Sequence, residues 1–263
     1  MIDTRKFTGD CLAVRKESPL VLNITNYVAM NFSANALLAI GASPIMSVCR
    51  EEIEELVHLC SSLVINIGCP DPVQVEIMKL AARIASSAGK PWVLDPVGAG
   101  ASRFRTMTGL SLGESGPSVI RGNASEIMAL AGMDIRSKGV DSSCCSDMAV
   151  EAAKAMAERY GTIVSVSGPV DYITDGSRVE TVSNGDVIMP RVTAMGCTAS
   201  AITAAFLAVD VDVLAASVNA MLMMGLAGEV AASHSRGTGT FAAAFIDELS
   251  NFNPGTAIKE IRQ

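Results

Sequence analysis

The apolar positions of this chain fall into two rhythms. Short runs that are apolar on both sides of the backbone recur as PLVLNI (19–24), SLVINIG (62–68), KPWVLDP (90–96), SVIRGN (118–123) and TIVSVSG (162–168). Runs without polar alternation suit strands of a parallel sheet covered on both faces. Between them, EEIEELVHLC (51–60) and PVQVEIMKLAARIASSAG (72–89) space their apolar residues as helices do, and the second ends on a stop glycine. Strands alternating with helices predict right-handed crossovers and an α/β/α sandwich of three layers. After Gly168 the rhythm changes. VDYITDG and SRVETVSNGD read as two short strands with a D-G turn between them and an N-G turn after them, antiparallel at the sheet edge. From Thr198 onward every segment is helical in pattern: TASAITAAFLAV, DVLAASVNAMLMMGLAGEVAAS and TFAAAFIDELS. IRSKGVDSSCCSD (135–147) reads as a surface loop or, equally, with Cys144 and Cys145, as a helix start. No linker, repeat or low-complexity tract interrupts the chain, so a single domain over residues 1–263 is expected.

Composition narrows the functional classes. With 49% hydrophobic and 18% charged residues, the chain can build a large aliphatic core softened by methionine. A net charge of −7 argues against a nucleic-acid partner, whose phosphates call for clustered Lys and Arg. The amino terminus mixes charges of both signs without a signal-like apolar stretch, which points to a cytoplasmic protein. Seven cysteines without a C-x-x-C pair, and two histidines, His58 and His234, predict neither a disulfide framework nor a zinc site. Both histidines read as structural or solvated. The run 213–232 is apolar enough to span a membrane, but Asn219, Gly225, Gly228 and Glu229 within it predict a buried helix and no membrane partner.

No G-x-x-x-x-G-K-[ST] is present, so a phosphate would need a different cradle. The G-x-G that follows Asp95 has Arg103 at the third glycine position and no acidic residue at the distance a dinucleotide site requires. In V192-T-A-M-G-C-T-A-S200 a turn leads directly into a long apolar helix, whose free N–H groups could hold a transferring phosphoryl group. Cys197 would lie in the first turn, where the same field is expected to lower its thiol pKa and make it a proton acceptor; the alternative is an ordinary helix start with a structural cysteine. Asn123 and Glu126 read as a capping box, or, for Glu126 with Asp95, as groups arranging Mg2+ and water around nucleotide phosphates.

The segments ITNYVAMNFSAN (24–35), IGASPIM (40–46), VINIG (64–68), LDPVGAGA (94–101), RGNASE (121–126), the Gly196–Cys197 turn and GTGTF (237–241) are dense and ordered. Over essentially its whole length the chain resembles the hydroxyethylthiazole kinase family. The resemblance implies a ribokinase-like three-layer α/β/α sandwich with a mostly parallel sheet and a helical C-terminal third. It implies transfer of a phosphoryl group from ATP, with Mg2+, to the hydroxyl of 4-methyl-5-(2-hydroxyethyl)thiazole, for thiamine salvage. ATP is then expected at Arg121 and at Ser167, where the family usually has Thr. Asp95 and Glu126 serve metal and phosphate, and Met195 and Gly196 form the anion-hole turn. Met46 and the Ala194 position line the thiazole pocket beside Asn26. Cys197 stands where most ribokinase-like kinases carry an aspartate base. The resemblance further implies a homotrimer with its thiazole pockets between subunits.

Three departures qualify the match. The turn reads A-M-G-C where the family typically reads G-A-G-C, which predicts strain if Ala194 takes a positive φ. Leu22 replaces an expected histidine and Cys69 an expected threonine. Two other readings therefore stand beside the first: a ribokinase-like kinase for another small alcohol, such as a hydroxymethylpyrimidine or a pyridoxal-like ring, and a thiazole- and ATP-binding protein whose transfer is silenced.

Overall fold

The computed structural model describes residues 2–133 and 142–262, with side chains at the start of the helix that opens at Ser142 described from Asp147 onward. Of the segment 135–147, residues 135–141 lie outside the described residues, and the two adjacent cysteines fall at the start of that helix.

Eight described strands form one sheet: β1 Leu20–Ile24, β2 Ser43–Met46, β3 Ser62–Asn66, β4 Trp92–Asp95, β5 Val119–Asn123, β6 Ile163–Ser167, β7 Asp171–Thr174 and β8 Val179–Val182. Their spatial order is β2-β1-β3-β4-β5-β6-β7-β8. The first six run parallel, and β7 and β8 add the antiparallel edge read from the two turn signals. β2 was not expected from the pattern. It is four residues long, half-buried and contains Pro44, which an edge strand tolerates because one side of its ladder is free.

The described helices are α1 Thr4–Glu17, α2 Met30–Ile40, α3 Ile53–Leu59, α4 Pro72–Ser87, α5 Arg103–Gly113, α6 Ala124–Leu130, α7 Ser142–Tyr160, α8 Met195–Leu207, α9 Val213–His234, α10 Thr238–Asn251 and the single turn α11 Pro254–Ala257. α1 escaped the pattern because its charges hide a narrow stripe of Phe7, Asp10, Cys11 and Val14, with Asp3 capping the start through the Arg5 and Lys6 N–H groups. Alternate strand residues feed two cores. Val21, Val64, Val93, Val119 and Ile163 pack with α8 and α9, while Leu22, Ile24, Leu63, Ile65, Leu94 and Ile120 pack with α3, α4, α6 and α7. These are the three expected layers.

α9 has the length and composition to cross a membrane, but 78% of its most apolar window is buried inside the protein. Its glycines show why: a Cβ on Gly225 would lie 2.4 Å from the Asn184 carbonyl oxygen, and one on Gly228 2.4 Å from Met189 Sδ. His58, in α3, and His234, at the end of α9, are both exposed.

Candidate active site

The parallel strands finish at one edge of the sheet, and α8 begins there. Ladder register aligns Asn66 of β3 with Asp95 of β4, and Arg121 of β5 with Ser165 of β6. Leu94 pairs with Ile120, so Asp95 neighbours Arg121. The result is a polar row at the carboxyl edge of an otherwise apolar face, directly under the first turns of α8. A buried row of this kind costs least when its members satisfy one another, and in it Ser165 Oγ and Arg121 Nε are left without a protein partner.

Asp95 is buried, and its Oδ2 accepts from Asn66 Nδ2 at 2.6 Å and from Ser200 Oγ at 2.8 Å. Burial pushes its carboxyl up to about 6; nearby Glu126 adds to the rise, while Arg121 and the two donors oppose it. Glu126 accepts from the Gly98 N–H through Oε1 and from the Asn123 N–H through Oε2, each at 2.8 Å. Its own N–H donates to Asn123 Oδ1, which completes the capping box. The carboxylate therefore both caps α6 and fixes the loop after β4. Arg121 is buried beside them and donates through Nη1 to the Gly196 carbonyl at 3.0 Å, while its buried Nε has no protein partner.

The turn above this row is built as the sequence required. Ala194 caps α8 with φ 69° and ψ −3°, so an L-residue occupies the left-handed region. Met195, bulkier than the expected alanine, is buried in the α8–α9 core instead of filling the mouth, and Gly196 stays exposed. The first helical hydrogen bond runs from the Thr198 N–H to the Ala194 carbonyl, which leaves the N–H groups of residues 195–197 without a helical acceptor.

Cys197 corrects one expectation. Its thiol is pushed up to about 11, not lowered: burial is the largest cause and nearby Asp95 the next, against smaller help from Asn26, Asn66 and Arg121. Burial outweighs the field of the helix start. Asn26 Nδ2 lies 3.4 Å from Cys197 Sγ and donates to Asn66 Oδ1 at 2.8 Å. Two expected residues stand apart from this network. Ser167 closes β6 opposite Asn123, with Oγ 3.4 Å from the Gly122 carbonyl, and Met46 ends the edge strand β2 opposite Asn23.

A sequence profile of the hydroxyethylthiazole kinase family matches residues 12–254. The chain is 54% identical over 237 residues to a hydroxyethylthiazole kinase of Oleidesulfovibrio alaskensis, covering 90% of this chain and 89% of that protein. It is 49% identical over 251 residues to one from Brachyspira hyodysenteriae, with 95% of each covered. This chain belongs to the hydroxyethylthiazole kinase family. A solved hydroxyethylthiazole kinase from Pyrococcus horikoshii superposes with a TM-score of 0.91 at 39% identity, over 98% of each chain. The fold is ribokinase-like.

Within this hydroxyethylthiazole kinase family member, three buried or half-buried groups support the row and were not singled out from sequence. Asn66 lay unremarked inside the VINIG segment, although an amide in a wholly buried strand was itself a signal. Ser200 follows Cys197 by three residues, one helical turn on. Arg105, on α5, donates to the carbonyls of Ile67, Val97 and Gly68 at 2.8–3.0 Å and so joins the loops after β3 and β4, a link that no sequence spacing reveals. Leu22, by contrast, points into the core on the opposite face of the sheet, away from the turn.

Proposed function

We propose that this protein, whose relatives are named hydroxyethylthiazole kinases, transfers the γ-phosphoryl group of ATP to the primary hydroxyl of 4-methyl-5-(2-hydroxyethyl)thiazole, and that residues 1–263 act as one kinase domain. The observation that carries this reading is the α8 turn. Its free N–H groups open beside buried Arg121 and above Asp95, which supports placing the phosphates there and the acceptor alcohol beside Cys197 and Asn26. In transfer, the hydroxyl oxygen bonds to the γ-phosphorus as the bond to the β-phosphate bridging oxygen breaks, and ADP leaves. Positioning and charge dominate such a loose transition state. Cys197, a neutral thiol at physiological pH, then serves to seat the hydroxyl and is a poor base. The hydroxyl proton departs late, to a phosphoryl oxygen or to water.

Mg2+ is tested by the donors present. Among the described residues no group of three or more His, Cys, Asp or Glu side chains converges on one point. A phosphate-bound Mg2+ needs less, one or two carboxylates plus water, and Asp95 and Glu126 fit that requirement. Asp95 Oδ2 and both oxygens of Glu126 are engaged by protein donors, so Asp95 Oδ1 is the atom left for direct contact, with Glu126 acting through charge or water. The two carboxylates and Arg121 sum to one negative charge, which suits a divalent ion. When bound, Mg2+ would neutralise charge on the ATP phosphates.

Arg121 and Ser167 are assigned to ATP, and Met46 and Ala194 to the thiazole pocket, on the family resemblance. The turn is fully formed despite Ala194, which favours a working site over a silenced one. The five described free cysteines suit the reducing cytoplasm. Purified protein mixed with ATP, Mg2+ and the thiazole alcohol should release ADP and yield the phosphorylated thiazole by mass. Binding of both substrates without ADP would refute transfer, and turnover of a pyridoxal-like alcohol alone would reassign the substrate.

A further inference from the structure

We infer that Asn66 is a positioning residue of the transfer step, holding Asn26 on the acceptor side and Asp95 on the phosphate side in one fixed relay; this rests on the kinase reading above. Asn66 is fully buried at the end of β3. Its Oδ1 accepts from the Gly68 N–H at 2.9 Å and from Asn26 Nδ2 at 2.8 Å, and its Nδ2 donates to Asp95 Oδ2 at 2.6 Å.

The orientation of each amide is dictated by a backbone N–H. Gly68 N–H requires an oxygen, so the amino group of Asn66 has to face the Asp95 carboxylate. Ala29 N–H donates to Asn26 Oδ1 at 3.1 Å, so the amino group of Asn26 has to face Asn66 and Cys197 Sγ. The relay thus has one polarity from the start of α2 to the centre of the sheet. Gly68 makes room for it, since a Cβ there would lie 2.5 Å from Asn26 Nδ2. On Asp95, Asn66 and Ser200 converge on the same oxygen, which turns Oδ1 away from both. Asn66, itself without exposed surface, therefore acts through the two groups it aims.

Steady-state kinetics on the full chain separate the two arms. Asn66→Asp is isosteric and keeps the acceptor for Gly68 and Asn26, but replaces the fixed amide donor to Asp95 by a carboxyl that has to share a proton with it. Its kcat is expected to fall by about 100-fold, the scale of a 1 Å misplacement, with the KM for the thiazole alcohol within about 2-fold of wild type. Asn66→Ala loses both arms and is expected to lower kcat and also raise that KM by about 10-fold. A merely structural asparagine would instead lower the folded fraction and leave KM and the kcat per folded molecule unchanged. Wild-type kcat and KM in folded Asn66→Asp overturns the inference, and this variant decides if Asn66→Ala does not fold. Absence of transfer by the wild-type protein overturns the kinase reading itself, and with it the role of Asn66.

Discussion

At the residue scale, burial sets the chemistry of the site more than proximity to a helix end does. Asp95 lies under the α8 turn and Cys197 within it, and both are pushed toward their protonated forms, to about 6 and about 11. For Asp95 the sign is clear: a raised pKa means that the carboxylate is lost on falling through pH 6, not 4. The free enzyme should therefore show an acid limb in kcat/KM near pH 6, measured as a pH–rate profile. For Cys197, a thiol that does not ionise contributes little as a base. Cys197→Ser should keep turnover within about 10-fold of wild type, whereas Asp95→Ala and Glu126→Ala should each lose about 100-fold or more. Equal losses in all three would mean that the cysteine carries the reaction. Ala194 pays for its left-handed conformation with about 1 kcal/mol. Ala194→Gly should raise the melting temperature by about 2–4 °C without loss of kcat, as a thermal melt and an ADP-release assay would show.

At the element scale, α1, which the pattern missed, brings a second buried polar cluster. α1 presents Asp10 to α9, where Asn219 Nδ2 donates to Asp10 Oδ2 at 2.7 Å, and Lys6 of the same helix pairs with Asp210 at 2.6 Å. Burial pushes Asp10 up to about 6, and Asp210 adds to the rise against Asn219 and Lys6. Between the ordinary carboxylate pKa of 3.8 and pH 6 the folded chain binds more protons than the unfolded one, so stability falls as pH rises through that window. Asp10→Asn removes the titration. It should raise the melting temperature by about 2–4 °C at pH 8 and by less at pH 4.5, measured by calorimetry at both. An equal gain at the two pH values would place its origin elsewhere.

At the scale of the whole molecule, the chain leaves apolar side chains uncovered just after Asn26 and at the start of α4, two segments joined by the hydrogen bond that Gln74 Nε2 donates to the Tyr27 hydroxyl. Tyr27, Val28 and Val73 are 62%, 61% and 71% exposed, where α2 and α4 begin. Exposed large apolar residues in a cluster mark a surface that a partner or a ligand covers. On the family resemblance we propose a homotrimer in which a neighbour covers these side chains and completes the site. Light scattering should give three times the chain mass, and Val28→Glu with Val73→Glu should release protomers that have lost activity. Fully active protomers would show that one chain suffices.

Much of this was legible in the sequence, because short apolar runs alternating with segments of helical spacing suit buried strands and the helices that cover them. Five of the six parallel strands, the edge hairpin and the helical last third follow from that pattern. The residues of the turn and the capping box followed too, since a helix start advertises its unpaired N–H groups through local residue choice. β2 and α1 did not, because an edge strand and a narrow-striped helix bury too little to leave a pattern. The pKa of Cys197, the aim of Asn66 and the grip of Arg105 on two loops were decided only by the tertiary structure. They depend on which residues from distant strands share one small volume without water, and spacing along a chain does not encode that volume.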